Sequence, residues 1–256
     1  MSHVITLTSD LGWQDHYVAA IKGELLKLNS DLKLIDVSHS VKAFDYIQAA
    51  ELVKKTYKHF PEQTIHIVAL TYNSVAKSPI LLVKHNNHFF IGQDNGMFSF
   101  ILDAEPELIV RVFNNEEFSV AAPLNEYLHA VKAIINTESF EKAGAILTDY
   151  SKKTMLKPFI DKQFIKCHVT QIDNFQNAIT NLTKEQFESV WNLRPFLINL
   201  RGYQIDTISD YYDAVDMGEL VAFFNTENYL EVAINTGNIA GLLGLDRNME
   251  ISIQFK

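Results

Sequence analysis

HVITLTSDLGWQDHYVAAIKGELLKL, residues 3–28, changes its period part-way along. Val4 to Leu7 reads as a buried strand. Beyond Tyr17 the apolar residues Val18, Ile21, Leu25 and Leu28 share one helical face. Asp15 stands just ahead as a candidate N-cap. The alternation then repeats. LKLIDVS (32–38) is a second strand, and AFDYIQAAELVKKTYKHF (43–60) is an amphipathic helix stopped near Pro61. TIHIVAL (64–70) is a third strand. PILLVKH (79–85) and HFFIGQD (88–94) form a hairpin around Asn86–Asn87, and ELIVRVF (107–113) is a further strand. Strand, helix, strand, helix, strand in that order implies a mostly parallel central sheet with right-handed crossovers.

The second half has a different texture. FIKCHVTQID, FLINL, LVAFFN, YLEVAIN and MEISIQF are short alternating runs, and the helical stretches KEQFESVW and IAGLLG are brief. A smaller, mainly antiparallel β domain is expected there. The polar, lysine-rich stretch 149–162 reads as a linker, giving an α/β domain over 1–150 and a β domain over 163–256.

Bulk properties bound the function. Hydrophobic residues make up 47% of the chain, enough for a sizeable core. The net charge of −9, with no basic run, argues against a nucleic-acid partner. Cys167 is the single cysteine, so no internal disulfide or cysteine metal cluster forms. The start MSHVITLTSD lacks the basic and apolar regions of a signal peptide, and no apolar run approaches a membrane span. A cytoplasmic protein without a membrane partner is the expectation.

In an open parallel sheet, ligands gather beyond the carboxyl ends of the strands. Asp10 and Asp15 follow the first strand; Ser38, His39, Phe44 and Asp45 follow the second. TYNSVAKS (71–78) follows the third, and QDNG (93–96) follows HFFIG. Each has an ordinary structural explanation: Asp10 as a turn or cap, His39 as a loop histidine bonded to backbone, Asn95–Gly96 as a turn. Their shared position is the functional signal. In the second half, IDNFQNAITNLT (172–183) crowds Asp173, Phe175, Asn177 and Asn181 around a strand end. VAINTGNIAGLLGL runs from strand to helix through Asn235, Thr236 and Gly237. Such groups suit a polar heterocycle or a carboxylate, or simply an Asx-turn and a helix cap. A Rossmann fingerprint, a P-loop and a metal constellation are all absent from the sequence.

Taken in order, ITLTSDLGWQDHYVAAIKGELL, LIDVSHSVKAFDYIQAA, FPEQTIHIVAL, FIGQDNGMFSFIL, IDNFQNAITN and YLEVAINTGNIAGLLGL resemble the S-adenosylmethionine hydroxide adenosyltransferases. The related fluorinating and chlorinating enzymes share the pattern. The resemblance covers nearly the whole chain. It implies an α/β domain followed by a β domain, and a homotrimer with each site between neighbouring subunits. S-adenosylmethionine is then substrate or ligand, with adenosine as the alternative ligand, and no separate cofactor or metal is needed. In the hydrolytic members water attacks the ribose C5′, releasing adenosine and methionine.

The resemblance also implies residue roles. Asp10 matches a carboxylate accepting from the ribose 2′- and 3′-hydroxyls. Tyr17 matches a ribose-side contact, Phe44 an aromatic packing near the ribose, and Tyr72 a further aromatic. Asp173 matches the partner of the methionine ammonium. Phe175 and Asn177 match adenine contacts, Tyr211 an aromatic on the purine's other side, and Thr226 a hydroxyl near the methionyl carboxylate. Asn235 and Thr236 match the corner that meets the adenine edge.

One region departs from the pattern. The family loop after the third strand reads Asp-Pro-Gly-Val-Gly-Thr, then arginine; here it is LTYNSVAKSP (70–79). The aspartate position falls at Leu70 or Thr71 and the arginine position at Lys77, which lacks arginine's planar fork. A His-Gly-Arg-Asp stretch has no counterpart in EEFSVAAPLNEYLHAV (116–131), where His129 falls in a predicted helix. Three readings follow. A hydrolase would position water with Thr71, Asn73, Ser74 and Lys77. A non-catalytic protein would bind S-adenosylmethionine or adenosine. A halide-using enzyme would need a longer loop and an insertion that this sequence lacks.

Overall fold

The computed structural model describes residues 3–71, 78–113, 124–136, 140–154 and 156–256. The chain divides into two compact units, Met1–Thr154 and Met155–Lys256.

The first unit holds strands β1 (Val4–Ser9), β2 (Lys33–Ser38), β3 (Ile65–Ala69), β4 (Ile80–His85), β5 (His88–Gln93), β6 (Leu108–Val112) and β7 (Gly144–Leu147). Helices α1 (Tyr17–Leu28), α2 (Tyr46–Thr56), α3 (Phe98–Ile101) and α4 (Leu124–Ile135) lie between them. The sheet order is β2-β1-β3-β5-β4-β6-β7. The pairs β1–β2, β1–β3 and β3–β5 are parallel, whereas β4–β5, β4–β6 and β6–β7 are antiparallel. The expected mostly parallel sheet is therefore parallel in one half only. The hairpin forms as read, with Asn86 and Asn87 both at positive φ. It is the hairpin's second strand that docks on β3, which leaves β4 antiparallel in the middle.

Alternate residues of β1, β3 and β5 feed two cores. Ile5, Leu7, Ile65 and Ile67 pack with Ile21 and Leu25 of α1 and with Tyr127, Ala130 and Ile134 of α4. Val68 and Phe90 pack with Ala49, Ala50 and Val53 of α2 and with Phe98 and Ile101 of α3. Val18, Ile21 and Leu25 are buried as their spacing requires, and Leu28 packs at the core's rim. Asp15 is not the cap of α1: the helix begins at Tyr17, and His16 occupies the N-cap without a side-chain bond. Asp45 does cap α2, accepting from the Gln48 N–H.

The second core contains a polar column. Thr6 Oγ1 and His66 Nδ1 are 2.8 Å apart, and His66 Nε2 and His88 Nδ1 are 3.1 Å apart. Tyr57, Phe60 and Phe90 surround the His66 ring. Burial first, then the neighbouring His88, push the His66 imidazole down from 6.5 to about 3; burial likewise lowers His88. An unfolded chain thus takes up a proton on His66 that the folded chain refuses. The stability present above about pH 6.5 is lost as pH falls toward 3, at up to about 1.4 kcal/mol per pH unit for one proton. Urea unfolding from pH 7 to pH 4.5 should show this loss, and His66→Gln should flatten it. An unchanged slope in the variant would contradict the assignment.

Lys152 and Lys153 of the expected linker lie against the first unit, with Lys153 Nζ donating to the Tyr46 hydroxyl (3.0 Å) and Lys152 Nζ to Glu105 (2.8 Å). The second unit contains β8 (Phe159–Ile160), β9 (Phe164–Ile172), β10 (Ala178–Thr183), β11 (Phe196–Leu200), β12 (Tyr203–Ile205), β13 (Leu220–Phe224), β14 (Tyr229–Ile234) and β15 (Glu250–Phe255). Helices α5 (Lys184–Trp191) and α6 (Ile239–Leu243) complete it. The order is β12-β11-β15-β9-β10-β14-β13, with β8 beside β9, and every strand pair is antiparallel. Inward residues of the alternating runs, among them Ile165, Val169, Leu230, Val232, Ile251 and Ile253, form its core with Phe187, Ile239 and Leu243. No described helix is long and apolar enough to cross a membrane.

Candidate active site

Strands β2, β1 and β3 are neighbours, so the turns at their carboxyl ends meet. Asp10 ties them together. Its Oδ2 accepts from the Phe44 N–H (2.9 Å); its Oδ1 accepts from the Thr71 N–H (2.7 Å) and the Thr71 hydroxyl (3.0 Å). A carboxylate offers about four acceptor positions, and three are engaged here. Gln93, at the end of β5, joins the group by donating from Nε2 to Leu70 O (3.1 Å). Phe44 sits in the left-handed region at φ 65° and is 58% exposed. Tyr17 opens α1 and stacks near His16.

A second network lies beneath this knot, and it corrects the reading of His39 as a loop histidine bonded to backbone. Lys22 Nζ donates to Asp36 Oδ2 (2.6 Å), and His39 Nε2 lies 2.9 Å from Asp36 Oδ1. Burial works to raise the Asp36 pKa, but the Lys22 and His39 bonds outweigh it and hold the carboxyl below its ordinary range. An ionised carboxylate only accepts, so Nε2 carries the ring proton. His39 Nδ1 then accepts from the Ser9 hydroxyl at 2.6 Å, and Ser9 Oγ accepts from the Leu11 N–H. His39 is 2% exposed, with Trp13 edge-on at 4.5 Å. Ser9 is equally buried, so its hydroxyl is not presented as a nucleophile. The chain Lys22–Asp36–His39–Ser9 instead fixes the residue next to Asp10. Asp36 near the end of the second strand was the signal for it, and its meaning depended on Lys22, a partner 14 residues away in sequence.

Tyr72, Asn73, Ser74 and Lys77 lie outside the described residues. Of the expected water-positioning set, Thr71 alone is described, and its hydroxyl proton points at Asp10. Leu70 is buried. His129, in α4, donates from Nε2 to Lys142 O (3.1 Å). Also in α4, Glu126 and Tyr127 are buried. Burial raises the Glu126 pKa, and Tyr127 is raised by burial, then by the nearby charges of Glu126 and Asp10. Neither was evident from sequence, because helical burial there depends on which face meets the sheet. Among the described residues no three His, Cys, Asp or Glu side chains gather as a metal site.

In the second unit, one end of the sheet collects most of the named residues. Asp173 and Asn177 close a turn: Asp173 Oδ1 accepts from the Asn177 N–H (2.8 Å), and Phe175 at its tip is 74% exposed. The Ala240 N–H of α6 donates to Gln176 O, tying that turn to the helix after Thr236. Tyr212 joins the corner, its hydroxyl donating to Ile234 O (2.9 Å) and accepting from the Thr236 N–H (2.7 Å). Tyr211, beside it, is exposed. Asn235 donates from Nδ2 to Val215 O (2.7 Å). With its N–H and hydroxyl engaged, Thr236 has, among the described residues, its carbonyl left for a further partner. Thr226 does not join them. It lies on the β13–β14 turn, the length of β14 away, roughly 20 Å along the strand.

Fold and site together define a two-domain protein, with binding groups clustered at strand ends of a mixed α/β unit and of an antiparallel β unit. Comparison with known proteins names the class. Residues 5–144 match the SAM hydroxide adenosyltransferase N-terminal domain and residues 167–252 the corresponding C-terminal domain. The chain belongs to that family. It is 28% identical to an (R)-S-adenosyl-L-methionine hydrolase of Methanocaldococcus jannaschii, covering 98% of this chain and 95% of that protein. It is 22% identical to a fluorinase of Actinopolyspora mzabensis, over 98% and 96% of the two chains. The crystal structure of an uncharacterized conserved protein from Thermotoga maritima shares the fold, with a TM-score of 0.82 at 23% identity over 98% of this chain and 99% of that one.

Proposed function

We propose that the protein hydrolyses S-adenosyl-L-methionine to adenosine and L-methionine by attack of water at the ribose C5′. The convergence of three strand-end turns on Asp10, in a chain that matches this family in both domains, carries the reading. Asp10 has room for about one more donor, so it takes one ribose hydroxyl where two were expected. Phe44 and Tyr17 flank the sugar. Asp173 pairs with the methionine ammonium, Phe175 and Tyr211 cover the purine, and Asn177, Asn235 and the Thr236 carbonyl meet its edge. Thr226, at the far end of β14, cannot reach the carboxylate of the same amino acid whose ammonium Asp173 holds, so it has no part in this reading. The protein would work as a cytoplasmic homotrimer, each ligand held by residues of two subunits.

The chemistry asks little of acid catalysis. A sulfonium departs as a neutral thioether, so the leaving group needs no proton. The site must aim the water in line with the C5′–S bond and keep bulk solvent out, which can lower the barrier by several kcal/mol. Lys77, Asn73, Ser74 and Thr71 are our candidates for holding the water. With its proton on Asp10, Thr71 can accept from that water. The test is incubation with S-adenosylmethionine and chromatography for adenosine; formation above the buffer rate is the expected result, and none would overturn the reading. One observation favours a second reading, a binder without turnover. At the end of β3 a buried leucine and a committed hydroxyl stand where the family has a carboxylate. Calorimetric binding of S-adenosylmethionine without product would select it.

A further inference from the structure

Asn177 is 4% exposed, and among the described residues its Oδ1 has no hydrogen-bond partner. Buried amide oxygens are almost always paired. Its neighbours determine why this one faces away from them. Asn225 Oδ1 accepts from the Glu227 and Tyr229 N–H groups, both at 3.1 Å. Those backbone donors fix the Asn225 amide, so its Nδ2 points the other way and donates to Glu231 Oε2 (3.1 Å). Glu231, itself buried, receives the Asn177 Nδ2 on its other oxygen at 3.1 Å. A carboxylate cannot donate. Asn177 therefore has one permitted orientation, with its oxygen turned from Glu231.

We infer that Glu231 is a specificity-determining positioning residue. By locking the Asn177 amide, it makes the site present an acceptor to the ligand, and the group that meets it must be a donor. The inference rests on the proposed reading of Asn177 as a base contact and deepens it. At the 6-position of a purine, an amino group donates whereas a carbonyl only accepts. The site thus selects 6-aminopurine nucleosides and rejects 6-oxopurines, which would set oxygen against oxygen. The Asn177 oxygen is shielded in the structure, so contact with a base requires the groups over it to move.

The test uses adenosine, purine riboside and inosine with the full chain, measured by calorimetry. Purine riboside has only hydrogen at the 6-position, so it loses the bond without gaining the repulsion. The expected affinity order is adenosine, purine riboside, inosine, with about a 100-fold span, since a buried polar group left unpaired discriminates strongly. Glu231→Gln reverses the logic. Asn225 still donates, so it takes the Gln oxygen, and the Gln amide nitrogen then faces Asn177 and turns its Nδ2 toward the ligand. The variant should lose at least tenfold in adenosine preference and move toward inosine. Equal wild-type affinities for the three nucleosides would overturn the inference and leave the base site standing. So would an unchanged preference in Glu231→Gln, as a structural water on the Asn177 oxygen would give. Failure of all three to bind would remove the base site as well. The wild-type order needs no variant, so it stands as a test even if Glu231→Gln does not fold.

Discussion

Asp10→Ala lowers kcat/KM for S-adenosylmethionine by about 100- to 1000-fold, equivalent to roughly 3–4 kcal/mol of lost transition-state binding. Two losses combine. A charge-assisted bond to a ribose hydroxyl disappears, and such bonds contribute about 1.5–3 kcal/mol. The knot that holds Phe44 and Thr71 also opens, because three hydrogen bonds end on this one carboxylate. Steady-state kinetics on a variant shown to be folded measures the effect. A change under threefold would mean that Asp10 is only a turn residue. Asp10→Asn should fall between the two proteins, since its amide keeps one acceptor oxygen and turns a donor toward a backbone N–H.

His39→Ala costs about 2–4 kcal/mol of the first unit's stability, seen as a lower urea midpoint. The imidazole is buried, bridges Ser9 and Asp36, and meets the edge of Trp13. Its removal leaves the Ser9 hydroxyl proton without its acceptor and a hole behind the turn. Because the network positions the turn rather than touching the reacting atoms, KM should rise more than kcat falls. Asp36→Asn should be milder, about 1 kcal/mol, because that carboxylate is partly exposed and Lys22 remains close. A His39→Ala protein with wild-type stability and kinetics would contradict the positioning role.

How much of this was legible in the sequence depended on how local the cause was. The α1 face was legible because burial of Val18, Ile21 and Leu25 follows from period alone. The Asn86–Asn87 hairpin was legible because two positive-φ residues in succession favour asparagine. Which hairpin strand would dock on β3 was not, since ILLVKH and HFFIGQ are both buried along most of their length and offer no asymmetry. The edge strand β7, with Ala145 and Ile146 both exposed, carried no alternating signal. At the site, sequence order placed Asp10, Phe44 and Thr71 at the ends of neighbouring strands. That Asp10 would take its hydrogen bonds from protein donors was hidden, because those donors are backbone N–H groups that every residue has. Glu231 was hidden for a different reason. A glutamate within YLEVAIN reads as an outward residue of an alternating strand, and only the amides of Asn177 and Asn225 explain its burial.

The most direct test of the central claim is turnover of S-adenosylmethionine in water enriched in 18O, followed by mass spectrometry of both products. Attack by water on C5′ predicts adenosine carrying the heavy oxygen in its 5′-hydroxyl and methionine carrying none. Adenosine without the label, or methionine released beside a halogenated nucleoside, would contradict it.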